Sequence, residues 1–359
     1  MSKKITVIGA GGTGCCCAAD LTLSGHQVTL CDLPGRSDDN LAMVRARGGV
    51  NLTGKGQTGF AAISDVITDV PGAVAGAEYL FITALSTRHV EIAQAVIPYL
   101  EDGQTVCISA GSMGSILFRQ EMAKAGCTKD IIIGELEGNL FPCRLYENAE
   151  GFIGMPFKPR TAAAFPARDN ERLIAKLSEL WPCGAATNVF ETTLNASNIV
   201  VHLGGSILNT GLVEQTENFC FYKQGLTPAV LKVIEATAAE RDALNEKLGY
   251  TVRSSVGFMK QLADKEGFPQ FDSFRGLEGP LTMQDRYFFE DAQSGSTFLA
   301  SLGEALGVDT PLARAFVAIA SAINGANYAA TGVTMERLGM AGLDAAGIND
   351  FLREGTRSA

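Results

Sequence analysis

The sequence predicts an α/β fold: an N-terminal doubly wound sheet followed by an all-α C-terminal domain. Three observations predict it. Short β-branched runs alternate with amphipathic stretches from Ile5 to about Trp181, a glycine-rich loop follows the first run, and helical patterns dominate after Trp181-Pro182. Ile5-Thr6-Val7-Ile8 is a first strand ending at glycines, and residues 15–23 form an apolar helical pattern that closes at Ser24-Gly25. Val28-Thr29-Leu30-Cys31 is a second strand, ending at Asp32. Residues 48–63 look like short strands joined by glycine turns. After them come a strand at 79–83, a helix at 91–100 and further strands at 105–109 and 131–134. Helical patterns then cover 194–212, 228–248, 297–306 and 311–329. The change of texture puts a boundary near 183–190, giving domains of 1–185 and 186–359.

Composition narrows the function classes. A chain of 359 residues exceeds what one core usually supports, and 46% apolar residues can fill two. The net charge of -10, with no basic stripe, argues against nucleic acid or an anionic membrane as partner. The longest apolar runs break off well short of the roughly 20 residues needed to cross a bilayer. There is no room for a signal peptide before the first strand, so a cytoplasmic protein is expected. Nine cysteines, an odd number with no Cys-x-x-Cys pair, read as reduced thiols. Cys15-Cys16-Cys17, which splay around a helix start, read as small packing residues. No zinc-spaced Cys/His cluster, P-loop or G-x-S-x-G occurs, which leaves metal hydrolysis, nucleotide hydrolysis and acyl transfer without support. Apolar residues on more than one face of the C-terminal helices suggest a homodimer, although a bundle buried within one chain would look the same.

Gly9-Ala10-Gly11-Gly12-Thr13-Gly14 satisfies G-x-G-x-x-G between a strand and a helix, the context of a Rossmann-type dinucleotide site. Gly9 can make the tight turn, Gly11 lets a pyrophosphate approach the backbone, and Gly14 lets helix and strand pack. Exposed N–H groups, including those of Gly12 and Thr13, and the helix dipole then hold the phosphates. Asp32, 18 residues beyond Gly14, is placed to accept hydrogen bonds from the adenosine ribose. A carboxylate there repels the extra phosphate of NADP and favours NAD. Arg36 nearby leaves NADP possible, although a solvated loop charge is its blander reading.

Hydride chemistry needs a proton donor, and the chain has three histidines. His26 lies in a turn away from the strand carboxyl ends, and His89 at a helix start; both read as structural. His202 shares a helical stripe with Asn195 and Asn198, at i, i+3 and i+7. The stripe is either a satisfied buried network or a general acid/base site, for which Asp291 in Arg286-Tyr287-Phe288-Phe289-Glu290-Asp291 would supply the orienting carboxylate.

With these residues the chain resembles the opine dehydrogenase family nearly end to end. The resemblance is carried by Ile133-Gly134-Glu135, Leu140-Phe141-Pro142-Cys143-Arg144, residues 195–202, Gly279-Pro280, residues 286–291 and Thr310-Pro311. It implies a Rossmann domain followed by a helical substrate and dimerisation domain, and a reaction that reductively condenses an amino acid with a 2-oxo acid such as pyruvate. His202 falls on the family's catalytic histidine, Asp291 on its paired aspartate, and Glu135 where the substrate amino group is met, with Glu137 next to it an equal candidate. Arg144 and Arg286, inside the shared motifs, are candidates for the substrate carboxylates. Glu137-Gly138-Asn139 and residues 219–223 depart from the norvaline-type pattern, so the amino acid need not be small and aliphatic. Phe219, Phe221 and Tyr222 read as helix core rather than pocket wall. A hydroxy-acid dehydrogenase of the ketopantoate or glycerol-phosphate type is a rival, but it would place a lysine where 194–212 has none. A dinucleotide-sensing protein without catalysis is a second rival.

Overall fold

The structure, a computed structural model, describes residues 1–357. The chain forms two compact units, Met1–Thr192 and Thr193–Ala359, which divide inside the helix Val189–Asn195.

The first unit contains twelve strands: β1 Lys4–Ile8, β2 Gln27–Cys31, β3 Gly49–Gly54, β4 Gly59–Ala62, β5 Asp65–Ile67, β6 Tyr79–Ile82, β7 Thr105–Ile108, β8 Ile132–Leu136, β9 Cys143–Tyr146, β10 Glu150–Ile153, β11 Arg160–Ala164 and β12 Cys183–Ala185. Eight of them form one sheet in the order β12-β11-β8-β7-β6-β1-β2-β5. Its pairs are parallel except β11 against β8. In β6, Tyr79 and Phe81 enter one core while Leu80 and Ile82 enter another, which is why that strand is apolar throughout rather than alternating. The order reverses at β1, which has β2 on one side and β6 on the other. The glycine loop therefore leaves the sheet at its topological switch point.

A second sheet, β4-β3-β10-β9, was not foreseen. The glycine-punctuated 48–63 stretch does form the β3/β4 pair, but β3 also pairs in parallel with β10 from a hundred residues on, a partnership no local pattern reveals. This sheet explains the three cysteines. The helix Gly12–Leu23 shares one core with both sheets, and Cys15, Cys16 and Cys17 are fully buried. A helix covered on every side needs small apolar residues all round. Burial pushes the Cys15 thiol up to about 12, the opposite of a redox-active thiolate.

The second unit is helical, and its main pieces are Asn198–Leu208, Pro228–Leu248, Thr297–Leu306, Pro311–Asn324 and Ala345–Glu354. Residues 194–212, expected as one helix, are broken at 196–197 and at Asn209. Asparagine side chains compete with the helical ladder at both breaks. Asn195 donates to the Thr251 carbonyl (2.9 Å) and accepts from the Arg253 N–H (2.7 Å), while Asn209 donates to the carbonyls of Gly205 (2.8 Å) and Gly225 (3.2 Å). No helix among the described residues is long and apolar enough to cross a membrane.

Candidate active site

In the first unit the glycine loop has the shape a dinucleotide requires. A Cβ on Gly14 would lie 1.7 Å from the Gly9 carbonyl oxygen, so only glycine permits the close helix–strand contact. A Cβ on Gly11 would meet nothing within 4 Å. That open cradle beside backbone N–H groups fits a pyrophosphate. Gly12 and Thr13 are half-buried, and the backbone of Arg144 and Leu145 on β9 runs alongside Gly12.

Asp32 departs from expectation. It is fully buried, and both carboxylate oxygens are taken: Oδ2 accepts from the Ala10 N–H (2.9 Å) and the Ser37 hydroxyl (2.9 Å), Oδ1 from the Leu33 N–H (2.8 Å) and Arg88 (3.0 Å). Burial opposes its ionisation, but Arg88, the Ala10 N–H and Ser37 outweigh it and hold the carboxyl below its ordinary range. The carboxylate thus shapes the loop from within, and its charge is neutralised rather than presented to a ribose or a 2′-phosphate. Arg36 is exposed, pairs with Glu91 (3.0 Å) and lines a recess of about 470 Å³ formed by residues 35–40. Asn40 in that recess donates to the Ala10 carbonyl (2.8 Å), tying it to the glycine loop.

Glu135 also departs. At the end of β8 it is fully buried, and it accepts from the Ser115 N–H (2.8 Å), the Ser115 hydroxyl (2.5 Å) and the Met113 N–H (3.2 Å). It therefore caps the helix Gly114–Lys124 instead of facing a substrate amine, because those N–H groups have no partner within their own helix. Burial pushes its carboxyl up to about 7 despite these bonds. Folding consequently takes up a proton between the ordinary 4.5 and about 7, and the stabilisation is complete below that window and lost as pH rises through it. Glu135→Gln should flatten the fall in Tm over this range; an unaltered slope would assign the effect to another group. Arg144 is half-buried and donates to its own neighbour's carbonyl at Cys143 (2.9 Å). His26 accepts from the Lys3 N–H (3.2 Å), and His89 is buried, its imidazole pushed down to about 4 by burial.

In the second unit the sequence-predicted residues do converge. His202 Nδ1 lies 2.9 Å from Asp291 Oδ2, and Asn198 donates to Asp291 Oδ1 (3.0 Å). The aspartate can only accept, so Nδ1 carries the proton and Nε2 is left as the working nitrogen. The imidazole stacks on the Tyr287 ring at 3.7 Å with 6° between the planes. Arg286 lies with its guanidinium carbon 4.8 Å from the centre of the same ring, and among the described residues its side chain makes no hydrogen bond. Burial would lower its pKa, but Tyr287, Glu290, Asp291 and Asp285 outweigh that and raise it, so the charge is secure. The imidazole of His202 and the guanidinium of Arg286 thus both lie against the ring of Tyr287. Asn195, the third residue of the stripe, turns instead to the 251–253 segment. The residue that sequence reasoning missed is Tyr222, whose hydroxyl is 3.0 Å from His202 Nε2. Its aromatic neighbours made it look like core, and no spacing rule links it to His202. No group of three or more His, Cys, Asp or Glu side chains among the described residues could hold a metal ion.

Comparison with known proteins agrees with this layout. Residues 185–324 match the family described as NAD/NADP octopine/nopaline dehydrogenase, alpha-helical domain, and residues 5–129 match ketopantoate reductase PanE/ApbA. An opine dehydrogenase of Arthrobacter sp. (strain 1C) is 28% identical over 97% of this chain and 98% of its own length. Among solved structures, octopine dehydrogenase with NADH and L-arginine superposes with a TM-score of 0.73 at 17% identity, covering 100% of this chain and 99% of that one. NADP+-bound yersinopine dehydrogenase gives a TM-score of 0.66 at 16% identity, covering 99% of each. Fold and site together define an NAD(P)-dependent oxidoreductase with a helical second domain. Within that class, the helical part of the chain matches the octopine/nopaline dehydrogenase type, and nearly its whole length is similar to an opine dehydrogenase.

Proposed function

We propose that this protein uses NAD(P)H to condense the amino group of an amino acid with the carbonyl of a 2-oxo acid, giving an N-(carboxyalkyl)amino acid, and catalyses the reverse oxidation. The carrying observation is the His202–Asp291–Asn198 chain beside the unbonded Arg286, in the unit that matches the opine-type helical domain. The amine attacks the carbonyl carbon, water leaves and a C=N bond results. The glycine loop, Gly9, Gly11, Gly12, Thr13 and Gly14, would hold the dinucleotide, which would supply the hydride for that carbon. His202, protonated at both ring nitrogens and oriented by Asp291, provides the proton that the nitrogen takes up. Arg286 holds a substrate carboxylate, and Arg144 is the candidate for the second. Relatives support the substrate classes: octopine dehydrogenase has been seen with NADH and L-arginine and with NADH and pyruvate.

The test is NADH oxidation with pyruvate and a panel of amino acids, each substrate also alone, and each pair repeated with NADPH. Oxidation is expected only when both an amino acid and a 2-oxo acid are present. Oxidation with the oxo acid alone would instead support a hydroxy-acid dehydrogenase, and NADH binding without turnover by any pair a sensing role. Nine cysteines, none of them in a disulfide, support a cytoplasmic location. Exposed Leu208, Leu212, Ile319 and Ile323 support a homodimer through the helical unit, which light scattering in solution would test.

A further inference from the structure

His202 Nε2, the nitrogen that gives up the proton in the reading above, is already engaged. His202 is 6% exposed and Tyr222 8% exposed, with the tyrosine hydroxyl 3.0 Å from Nε2. An imidazole nitrogen offers one in-plane direction, so it serves one partner at a time. Either Tyr222 leaves when substrate comes, or it stands between histidine and substrate. The surroundings favour the second. The Tyr222 ring centre lies 4.5 Å from that of Phe274 and 5.1 Å from that of Phe221, and Phe221 is seated against Gly205, where a Cβ would be 2.4 Å from its ring. Swinging the phenol away would disrupt this packing and leave a buried nitrogen unsatisfied; turning the O–H about its C–O bond does neither. Both partners of His202 also sit in π-helical turns, Tyr222 in Phe221–Gly225 and Asp291 in Asp291–Ser296. Such turns recur at functional sites.

We propose that Tyr222 is the terminal proton donor of the reaction, passing the proton of His202 to the substrate nitrogen. As hydride arrives at the carbon of C=N, the π pair moves to nitrogen and takes the Tyr222 hydroxyl proton. The Nε2–H bond of His202 breaks in the same event, and its proton replaces the one the tyrosine gave. Tyrosine ends as it began, and His202 is left neutral, still donating to Asp291 through Nδ1. The proposal rests on His202 as the proton source, so the two are tested side by side.

Tyr222→Phe removes one oxygen and keeps the ring. Its kcat for reductive condensation should fall by about 100-fold, with the KM for NADH unchanged. In mixtures of light and heavy water, single-turnover rates of the wild type should curve with deuterium fraction, since two protons move together, and those of Tyr222→Phe should be linear. A kcat within about twofold of wild type, or an unchanged curved dependence, overturns the relay. So does a lower substrate KM at constant kcat, which would mean that the hydroxyl merely obstructs Nε2. His202→Ala separates the two ideas. If that variant keeps its turnover, the histidine reading itself fails; if it is inactive while Tyr222→Phe is fully active, only the relay fails.

Discussion

Replacing His202 by alanine is expected to lower turnover by roughly 100-fold or more while leaving NADH affinity as it was. The imidazole ends a chain of oriented hydrogen bonds that runs from Asn198 through Asp291 to Nδ1. The glycine loop lies in the other compact unit and keeps its geometry without the histidine. Dinucleotide titration by fluorescence and stopped-flow turnover on the same preparation check both halves of the expectation. Asp291→Asn should approach the same loss, because an amide can donate to Nδ1 and so stabilise the tautomer with the wrong nitrogen protonated. Full turnover in either variant would remove this chain from the chemistry.

The second large effect concerns the glycine loop, where two alanine substitutions should fail in different ways. Gly14→Ala would put a methyl group 1.7 Å from the Gly9 carbonyl oxygen and 2.7 Å from Thr83 Oγ1. The carbonyl is backbone, and Thr83 is itself bonded to it at 2.9 Å, so neither yields cheaply. A stability loss at or above the upper end of the ~1–3 kcal/mol range for overpacking follows, with dinucleotide binding lost alongside. Gly11→Ala adds its methyl group to open space and should leave the melting temperature alone. It should still weaken dinucleotide binding, because that space is where the pyrophosphate comes closest to the backbone. Melting curves and NADH titrations of the pair distinguish a packing glycine from a ligand-facing one. Equal melting temperatures would contradict the geometry at Gly14, and undiminished affinity of Gly11→Ala would move the phosphates elsewhere.

Much of the site was legible in the sequence where chemistry follows chain order. The glycine loop is read from six consecutive residues whose spacing carries its own steric logic, and the helices Pro228–Leu248 and Thr297–Leu306 lie where their periodicity put them. The His202–Asp291 pair was legible through shared motifs, although the two residues are far apart in the chain. What misled was residue type read without direction. Asp32 and Glu135 each end a strand, where a carboxylate could face a ligand or turn inward. Both turn inward, because nearby backbone N–H groups needed an acceptor and the Arg88 charge needed a counter-ion. With Asp32 buried and neutralised, its expected repulsion of a 2′-phosphate loses its basis.

The sequence by itself determined the α/β order of the first half, the helical second half and the strand–glycine loop–helix unit, because each rests on local periodicity or a short motif, whereas His202 became the candidate general acid through the family resemblance. Only the tertiary structure decided that β3 and β4 join β9 and β10 in a second sheet, that the carboxylates of Asp32 and Glu135 are buried on backbone N–H groups, and that Tyr222 rather than open space meets the Nε2 of His202. Those outcomes depend on which groups distant in sequence satisfy one another's hydrogen bonds and fill one another's volume. Such pairings are settled by packing the whole unit at once, and they leave no periodic trace in the chain.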